Sequence, residues 1–237
     1  MRDCIRFTID EAMPPIQDVL QSQGMPERSE MPERVGALLD RSVNLFAELA
    51  GPIGVMEDLS QRDFGAVYEG EGLNAPETPI ADIYPSADAL ALFACTLGSP
   101  ISGQITALFA ANDLALGYML DAVASAAADQ LAVLMGNRFV KRLPLEHPGS
   151  GHRRILPYSP GYCGWHISGQ GRLFDFLRPA DAGITLSTSY LMQPLKSVSG
   201  VLVAGKPEIH QFLPSYPFCG DCSTHACLGR TAAALRD

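Results

Sequence analysis

The sequence lacks an excess of positive charge. Among its 237 residues, 17 are lysine or arginine and 26 are aspartate or glutamate, so the formal net charge is −9 and the sequence pI is about 5.0. Proteins that bind nucleic acid without sequence preference normally carry a basic stripe that neutralises phosphates. We therefore expect no nucleic-acid partner.

The sequence also lacks an apolar run suited to a signal peptide or a membrane span. The longest uncharged stretch, residues 89–112, is interrupted by glycine, proline and polar side chains. The first residues are too charged to form the apolar core of a signal peptide; their charged side chains are Arg2, Asp3, Arg6, Asp10 and Glu11. We expect a cytoplasmic protein with no membrane segment.

Glycine-rich nucleotide motifs are missing as well. Neither GxGxxG nor GxxxxGK[ST] follows a strand pattern, which argues against a doubly wound nucleotide-binding fold. The chain is 47% apolar, enough for one well-packed core. Helical patterns dominate its first part and strand patterns follow residue 152, an order typical of α+β proteins. We predict a single compact α+β domain, an antiparallel twisted sheet flanked by helices, followed by a cysteine-containing C-terminal tail.

Local patterns predict the main elements. Apolar spacing indicates helices at 33–50, 99–111 and 169–177, and a long helix that begins after Asp113 and stops at Gly136. Residues 89–98 read as a buried strand, whereas the glycines and prolines of 64–84 favour turns and a short strand. The segments ITLSTSYLMQ and KSVSGVLVAG suggest an antiparallel pair that turns near Gln193 and Pro194.

The segment Tyr158-Ser159-Pro160-Gly161-Tyr162 concentrates turn-forming residues between two aromatic rings. Proline fixes its own φ, and glycine permits backbone geometries that other residues avoid. One interpretation is a loop whose open backbone groups and two rings receive a polar ligand. The other is a rigid turn with packed tyrosines.

The long helix carries a second face of small residues beside Asp129. This face allows either close packing on a sheet, with Asp129 at the solvent edge, or the approach of a ligand. The alternatives stay open on composition alone.

The C-terminal tail contains Cys219, Cys222 and Cys227 in a CxxCxxxxC pattern. Three thiolates at this spacing can hold zinc or an iron–sulfur cluster, with a fourth ligand from elsewhere; the candidates are His225, Cys163 and His166. Free or redox-labile thiols are the alternative. Only a cluster would offer an electron route, since zinc has no accessible redox change.

Four blocks of the chain together resemble the activation (reactivation) domain family of cobalamin-dependent methionine synthase, as a stand-alone member. They are DLALGYMLDAVASAAADQLA, the SPGY segment, residues 183–187 (GITLS) and residues 192–200 (MxPxKSVSG). Their order and spacing agree with the family across residues 1–205, most specifically from Asp113 onward. The resemblance implies an activation-like domain at 1–205 and a separate tail at 206–237.

The resemblance also implies a function. Members bind S-adenosylmethionine and support reductive methylation of a corrinoid (cobalamin) protein, with an electron donor as a further partner. The protein would then be a methyltransferase component that acts only with its corrinoid partner. It could instead be a non-catalytic module that binds a corrinoid protein, or an iron–sulfur electron-transfer protein.

The same resemblance assigns cofactor-binding residues. Tyr162 is expected against the sulfonium, Asp129 as acceptor for the ligand's ammonium or hydroxyls, and the backbone of residues 158–161, including Ser159, Pro160 and Gly161, along the adenine edge. Relatives carry an arginine where this chain has Pro157, so Arg154 is expected to pair with the ligand carboxylate from a shifted position.

Overall fold

The computed structural model describes residues 1–25, 28, 31–144, 153–211 and 216. Through the middle of this part of the chain runs a five-stranded antiparallel sheet. In spatial order its strands are β1 (Arg2–Arg6), β2 (Ile53–Leu59), β3 (Ala89–Thr96), β7 (Ser197–Gly205) and β4 (Arg154–Tyr158). Two short strands, β5 (Thr185–Leu186) and β6 (Met192–Gln193), pair separately. The predicted α+β class with an antiparallel sheet is confirmed.

The central strands β3 and β7 pair in register from Ala89 opposite Ala204 to Thr96 opposite Ser197. Strand β3 is apolar on both faces because helices cover both sides of the sheet. Its alternate residues enter two cores: Phe93 joins the first layer of helices and Leu92 joins the second.

The first helical layer packs on the Phe93 face of the sheet. It contains α1 (Ile9–Ala12), α2 (Ile16–Ser22), α3 (Glu33–Leu49), α6 (Ser99–Ala110) and α7 (Leu114–Val140). By length and composition α7 could cross a bilayer, but 61% of its most apolar window is buried inside this fold. It is the core helix of the layer.

Helix α7 does not stop at Gly136, so that prediction was wrong; it continues to Val140. The position of a Cβ at residue 136 would be 3.8 Å from Ile155 and 3.9 Å from Leu202. Gly136 thus lets the helix approach the sheet closely. Packing there offsets the roughly 1 kcal/mol by which a glycine disfavours a helix interior relative to alanine.

The second layer covers the opposite face with α4 (Gln61–Glu69), α5 (Pro79–Ile83) and α8 (Gly169–Leu177). The prediction of turns for residues 64–84 was wrong where α4 and α5 form. The Ser60 side chain accepts a hydrogen bond from the Asp63 amide and caps α4, whose Phe64 is fully buried. A cap and a buried face outweigh the interior Gly65.

The predicted pairing of the last two strand segments was also wrong. Strand β5 pairs with β6, while β7 lies between β3 and β4. The reversal occurs earlier than expected, where the Ser187 amide donates to the Leu191 carbonyl and Tyr190 has φ of 61°. Both faces of β7 are apolar, so it occupies the centre of the sheet.

Candidate functional site

The predicted loop follows the end of β4, an edge strand that pairs with β7. The backbone of residues 159–162, named the SPGY loop here, is hydrogen-bonded to the backbone of Trp165. The Gly161 amide donates to the Trp165 carbonyl at 2.7 Å, and the Trp165 amide donates to the Tyr162 carbonyl at 3.0 Å. Gly161 has φ of 89°, a conformation that favours glycine. The loop therefore has a defined shape of its own.

The loop begins where the chain crosses over Gly200 of β7. A Cβ at residue 200 would collide with the carbonyl oxygen of Tyr158 and would stand 3.0 Å from the Ser159 hydroxyl oxygen. Gly200 is paired with Phe93, whose side chain faces the first helical layer. Paired residues of antiparallel strands project to the same face of the sheet, so a Cβ on Gly200 would also point toward the first helical layer. The Ser159 hydroxyl lies close to that Cβ position, and the chain therefore enters the SPGY loop on the side of α7.

The side chain of Tyr158 projects the other way, into the second core. Its hydroxyl lies 2.9 Å from Nδ1 of His210, and the two rings stack with an interplanar angle of 11°. His210 is fully buried, and its Nε2 lies 3.4 Å from the Arg154 carbonyl oxygen. Burial raises the pKa of Tyr158 and lowers that of His210, so both side chains are neutral near pH 7.

The segment that follows the SPGY loop, residues 164–166, is hydrogen-bonded to residues 74 and 75. The Asn74 side-chain oxygen accepts from the His166 amide, and the Ala75 amide donates to the Gly164 carbonyl, both at 2.9 Å. Between them Trp165 is only 2% exposed and packs edge-on against Phe64. These contacts make residues 164–166 a packed corner.

The two tyrosines of the motif differ in exposure. Tyr158 is buried, whereas Tyr162 is 52% exposed. Pro160 is buried and Ser159 is partly exposed. Of the two rings, Tyr162 is therefore the one that a ligand can reach without moving the core.

Asp129 lies on the exposed side of α7. Its charge reaches Cys95 of β3, a buried thiol whose pKa is raised to about 12, mainly by burial and in part by Asp129. Cys95 is paired with Val198. Asp129 thus lies on the side of the sheet where the chain enters the SPGY loop.

The MxPxKSVSG segment is joined to the same helix by an ion pair. Lys196 Nζ lies 2.7 Å from Asp121 and donates to the Ser125 hydroxyl at 2.9 Å. The lysine is largely buried, so this pair sets the start of β7 against α7. Ser125 belongs to the small-residue face of α7, which here carries a structural contact.

Arg154 is not brought together with the loop. It begins β4 opposite Gly205, and about 13 Å of extended strand separate its Cα from that of Tyr158. Its Nε is buried and has no hydrogen-bond partner within the described residues.

The three tail cysteines, Cys219, Cys222 and Cys227, lie outside the described residues, as does His225. Within the described part of the chain, no group of three or more His, Cys, Asp or Glu side chains could hold a metal ion. Cys163 is partly exposed, and the His166 ring contacts Ser168. Zinc or a cluster at the tail stays a prediction.

A groove that the sequence patterns did not indicate opens beside the packed corner. Its volume is about 500 Å³, and Tyr68, Tyr84 and Asn74 line it together with Glu69. Part of its lining comes from α4 and α5, the two helices that form where turns were predicted. Asn74 also bonds to His166 in the packed corner that follows the SPGY loop.

Fold and site together define an α+β domain in which an edge strand of a central sheet delivers a preformed loop with one exposed aromatic ring. Residues 76–213 match the family described as vitamin B12 dependent methionine synthase, activation domain. The match covers more than half of the chain and includes the SPGY loop and β7. The chain therefore belongs to this family, and the resemblance stated from its motifs is confirmed.

The fold is similar to that of a solved relative. A crystal structure described as the MetH reactivation domain bound to AdoHcy aligns with a TM-score of 0.59 and 16% sequence identity, over 100% of this chain and 91% of that chain. At this identity the likeness establishes the shared fold. No match is found among curated proteins.

Proposed function

We propose that this protein binds S-adenosylmethionine at the SPGY loop and supports reductive methylation of a corrinoid protein. One observation carries the proposal: the match to the activation-domain family spans the loop, β4 and β7 in one continuous segment. It is supported by the solved relative, which is described as bound to AdoHcy, the demethylated form of the same ligand.

The loop geometry suits a sulfonium ligand. The exposed face of Tyr162 can attract a cation by about 0.5–2 kcal/mol, depending on desolvation. Asp129, exposed on the side where the chain enters the loop, can accept hydrogen bonds from an ammonium or from ribose hydroxyls. The backbone of residues 158–161 would lie along the adenine. Arg154 would meet the ligand carboxylate only if the ligand extended along β4.

The chemistry asks this chain mainly to position two partners. Reductive methylation takes one electron from a donor and the methyl group of the sulfonium, and it releases S-adenosylhomocysteine. The methyl group is already activated, so no side-chain base or nucleophile is required. Holding the methyl donor in a fixed orientation toward a second protein by itself makes a large contribution to the rate of methyl transfer.

Calorimetric titration of the purified protein with S-adenosylmethionine tests the ligand assignment. We expect saturable binding, competition by S-adenosylhomocysteine and none by adenosine monophosphate, which lacks the sulfonium and the amino-acid group. Repeating the titration with a corrinoid protein from the same cell tests the partner. Absence of ligand binding in both titrations would refute the proposal and favour a non-catalytic module that binds corrinoid proteins.

The same proposal divides the chain into an activation-like domain at residues 1–205 and a separate tail at residues 206–237. It also includes a metal centre in the tail. An iron–sulfur cluster at Cys219, Cys222 and Cys227 would supply a route for the electron, whereas zinc would have only a structural role. Activity would be expected only with the corrinoid partner present, in keeping with a methyltransferase component in the cytoplasm.

A further inference from the structure

His210 touches both ends of β4 although it lies outside the sheet. It ends the 3₁₀ turn Pro207–His210 that follows β7. Its Nδ1 lies 2.9 Å from the Tyr158 hydroxyl, and its Nε2 lies 3.4 Å from the Arg154 carbonyl oxygen. One imidazole ring therefore bridges the first and the last residue of the strand that leads into the SPGY loop.

The hydrogen-bonding roles of the ring follow from its partners. The Arg154 carbonyl can only accept, so Nε2 carries the proton and donates to it. Nδ1 of the neutral ring then accepts from the Tyr158 hydroxyl. Acceptance at Nδ1 requires the neutral imidazole, the form that full burial favours, whereas Nε2 can donate to the Arg154 carbonyl in either form.

Strand β4 has few hydrogen bonds within the sheet to hold its end in place. It lies at the edge of the sheet, with β7 as its partner there, and Pro157 has no backbone N–H to donate. The Tyr158 carbonyl rests against Gly200 on one face, and the Tyr158 ring enters the second core on the other. The direction in which Ser159 leaves the strand is thus set by where the Tyr158 side chain is held.

We propose that His210 is a positioning residue for the SPGY loop, which it holds in place through Tyr158. The inference rests on the proposed function, since it explains how that site is kept in shape. It adds a residue some 50 positions along the chain from the loop. His210 itself touches no ligand; it acts by holding the end of β4.

The single tryptophan of the chain reports on the loop without any ligand. Trp165 is buried, and its carbonyl accepts from the Gly161 amide. His210→Phe removes both imidazole bonds while keeping a ring of similar shape. We expect this variant to shift Trp165 emission to longer wavelength, to speed hydrogen exchange at the Gly161 amide, and to weaken S-adenosylmethionine binding about tenfold.

Two further variants separate positioning from simple loss of stability. His210→Asn keeps an acceptor near Nδ1 and should restore most of the emission and affinity. Phe46→Leu perturbs the first core, on the side of the sheet opposite Tyr158 and Trp165, and should lower the melting temperature without changing the Trp165 emission or the hydrogen exchange at the Gly161 amide. Tyr158→Phe removes only the bond to Nδ1 and should produce the same changes to a lesser extent, while the double variant should add little to His210→Phe because the Tyr158–His210 bond is already lost there.

The readouts distinguish the two ways of failing. If the wild-type protein binds no S-adenosylmethionine, the proposed function fails, and Trp165 emission and Gly161 exchange still decide the role of His210. If the wild type binds the ligand but His210→Phe leaves emission, exchange and affinity unchanged, the positioning role is overturned. It is overturned as well if Phe46→Leu has effects as large as those of His210→Phe.

Discussion

Gly200 in β7 lies against the carbonyl oxygen of Tyr158, the last residue of β4. The two residues are 42 positions apart in the chain, and their contact joins the start of the SPGY segment to the end of the MxPxKSVSG segment. It explains why the second ends in glycine, because any side chain there would strike the backbone that leads into the loop. The two motifs are therefore parts of one site.

Gly200→Ala should destabilise the protein and displace the SPGY loop. The new methyl group would meet the backbone of Tyr158, which cannot rotate away as a side chain could, so we expect a loss of about 1–3 kcal/mol in the free energy of unfolding. Denaturant melts would measure it. Gly103→Ala, on α6, is the control. A Cβ at residue 103 would have no atom within 4 Å, and we expect a gain of roughly 0.5–1 kcal/mol in the free energy of unfolding because alanine favours a helix over glycine. Equal effects at the two glycines would contradict the close contact.

Tyr162→Ala should weaken S-adenosylmethionine binding without changing the fold. Loss of a cation–π contact of about 0.5–2 kcal/mol corresponds to roughly a 2- to 30-fold rise in Kd. Titration calorimetry would measure it. Tyr162→Phe should retain most of the affinity because the ring face remains. Tyr118→Ala removes another exposed tyrosine, on α7, and should have no effect; an unchanged Kd for Tyr162→Ala would remove the sulfonium contact from the proposal.

Stability should fall on acidification because of His210. Burial lowers its pKa in the folded protein, while the unfolded chain has the ordinary value of about 6.5. Below about pH 6.5 the unfolded state gains a proton that the folded state does not. The contribution of His210 to the free energy of unfolding therefore declines as the pH falls, until the pH reaches the pKa of His210 in the folded protein. The slope for this one group is at most about 1.4 kcal/mol per pH unit. Denaturant melts between pH 7.5 and 5 should show a shallower slope for His210→Phe; parallel slopes would contradict the burial effect.

Replacing Cys219, Cys222 and Cys227 together by serine should abolish metal binding by the purified protein. Thiolates at this spacing bind zinc or an iron–sulfur cluster, and a serine hydroxyl does not take the place of the thiolate ligand in either centre. Metal analysis of anaerobically prepared protein would identify zinc or iron. An absorption band at roughly 400 nm, which arises from iron–sulfur charge transfer, would indicate a cluster. Cys4→Ser alters an exposed thiol at the N-terminus and serves as control. A wild-type protein without metal would leave the tail as free thiols.

Local sequence determined the elements whose signals lie within a few residues. The sequence patterns at 33–50, 99–111 and 169–177 predicted α3, α6 and α8 closely. The apolar run at 89–98 predicted β3. In the SPGY segment proline fixes its own φ and glycine can adopt a positive φ, so these residues predicted a turn-rich loop, with its use for a ligand left open.

Tertiary structure decided what depends on residues far apart in the chain. Close packing on the sheet offsets the cost of Gly136 within α7, and burial of Phe64 offsets that of Gly65 within α4. The place of β7 between β3 and β4 follows from burial on both faces, which pairing signals within one segment do not encode. His210 likewise has no local signature: its role comes from a hydroxyl and a carbonyl that the folded sheet places on either side of its ring, since only packing brings such distant partners together.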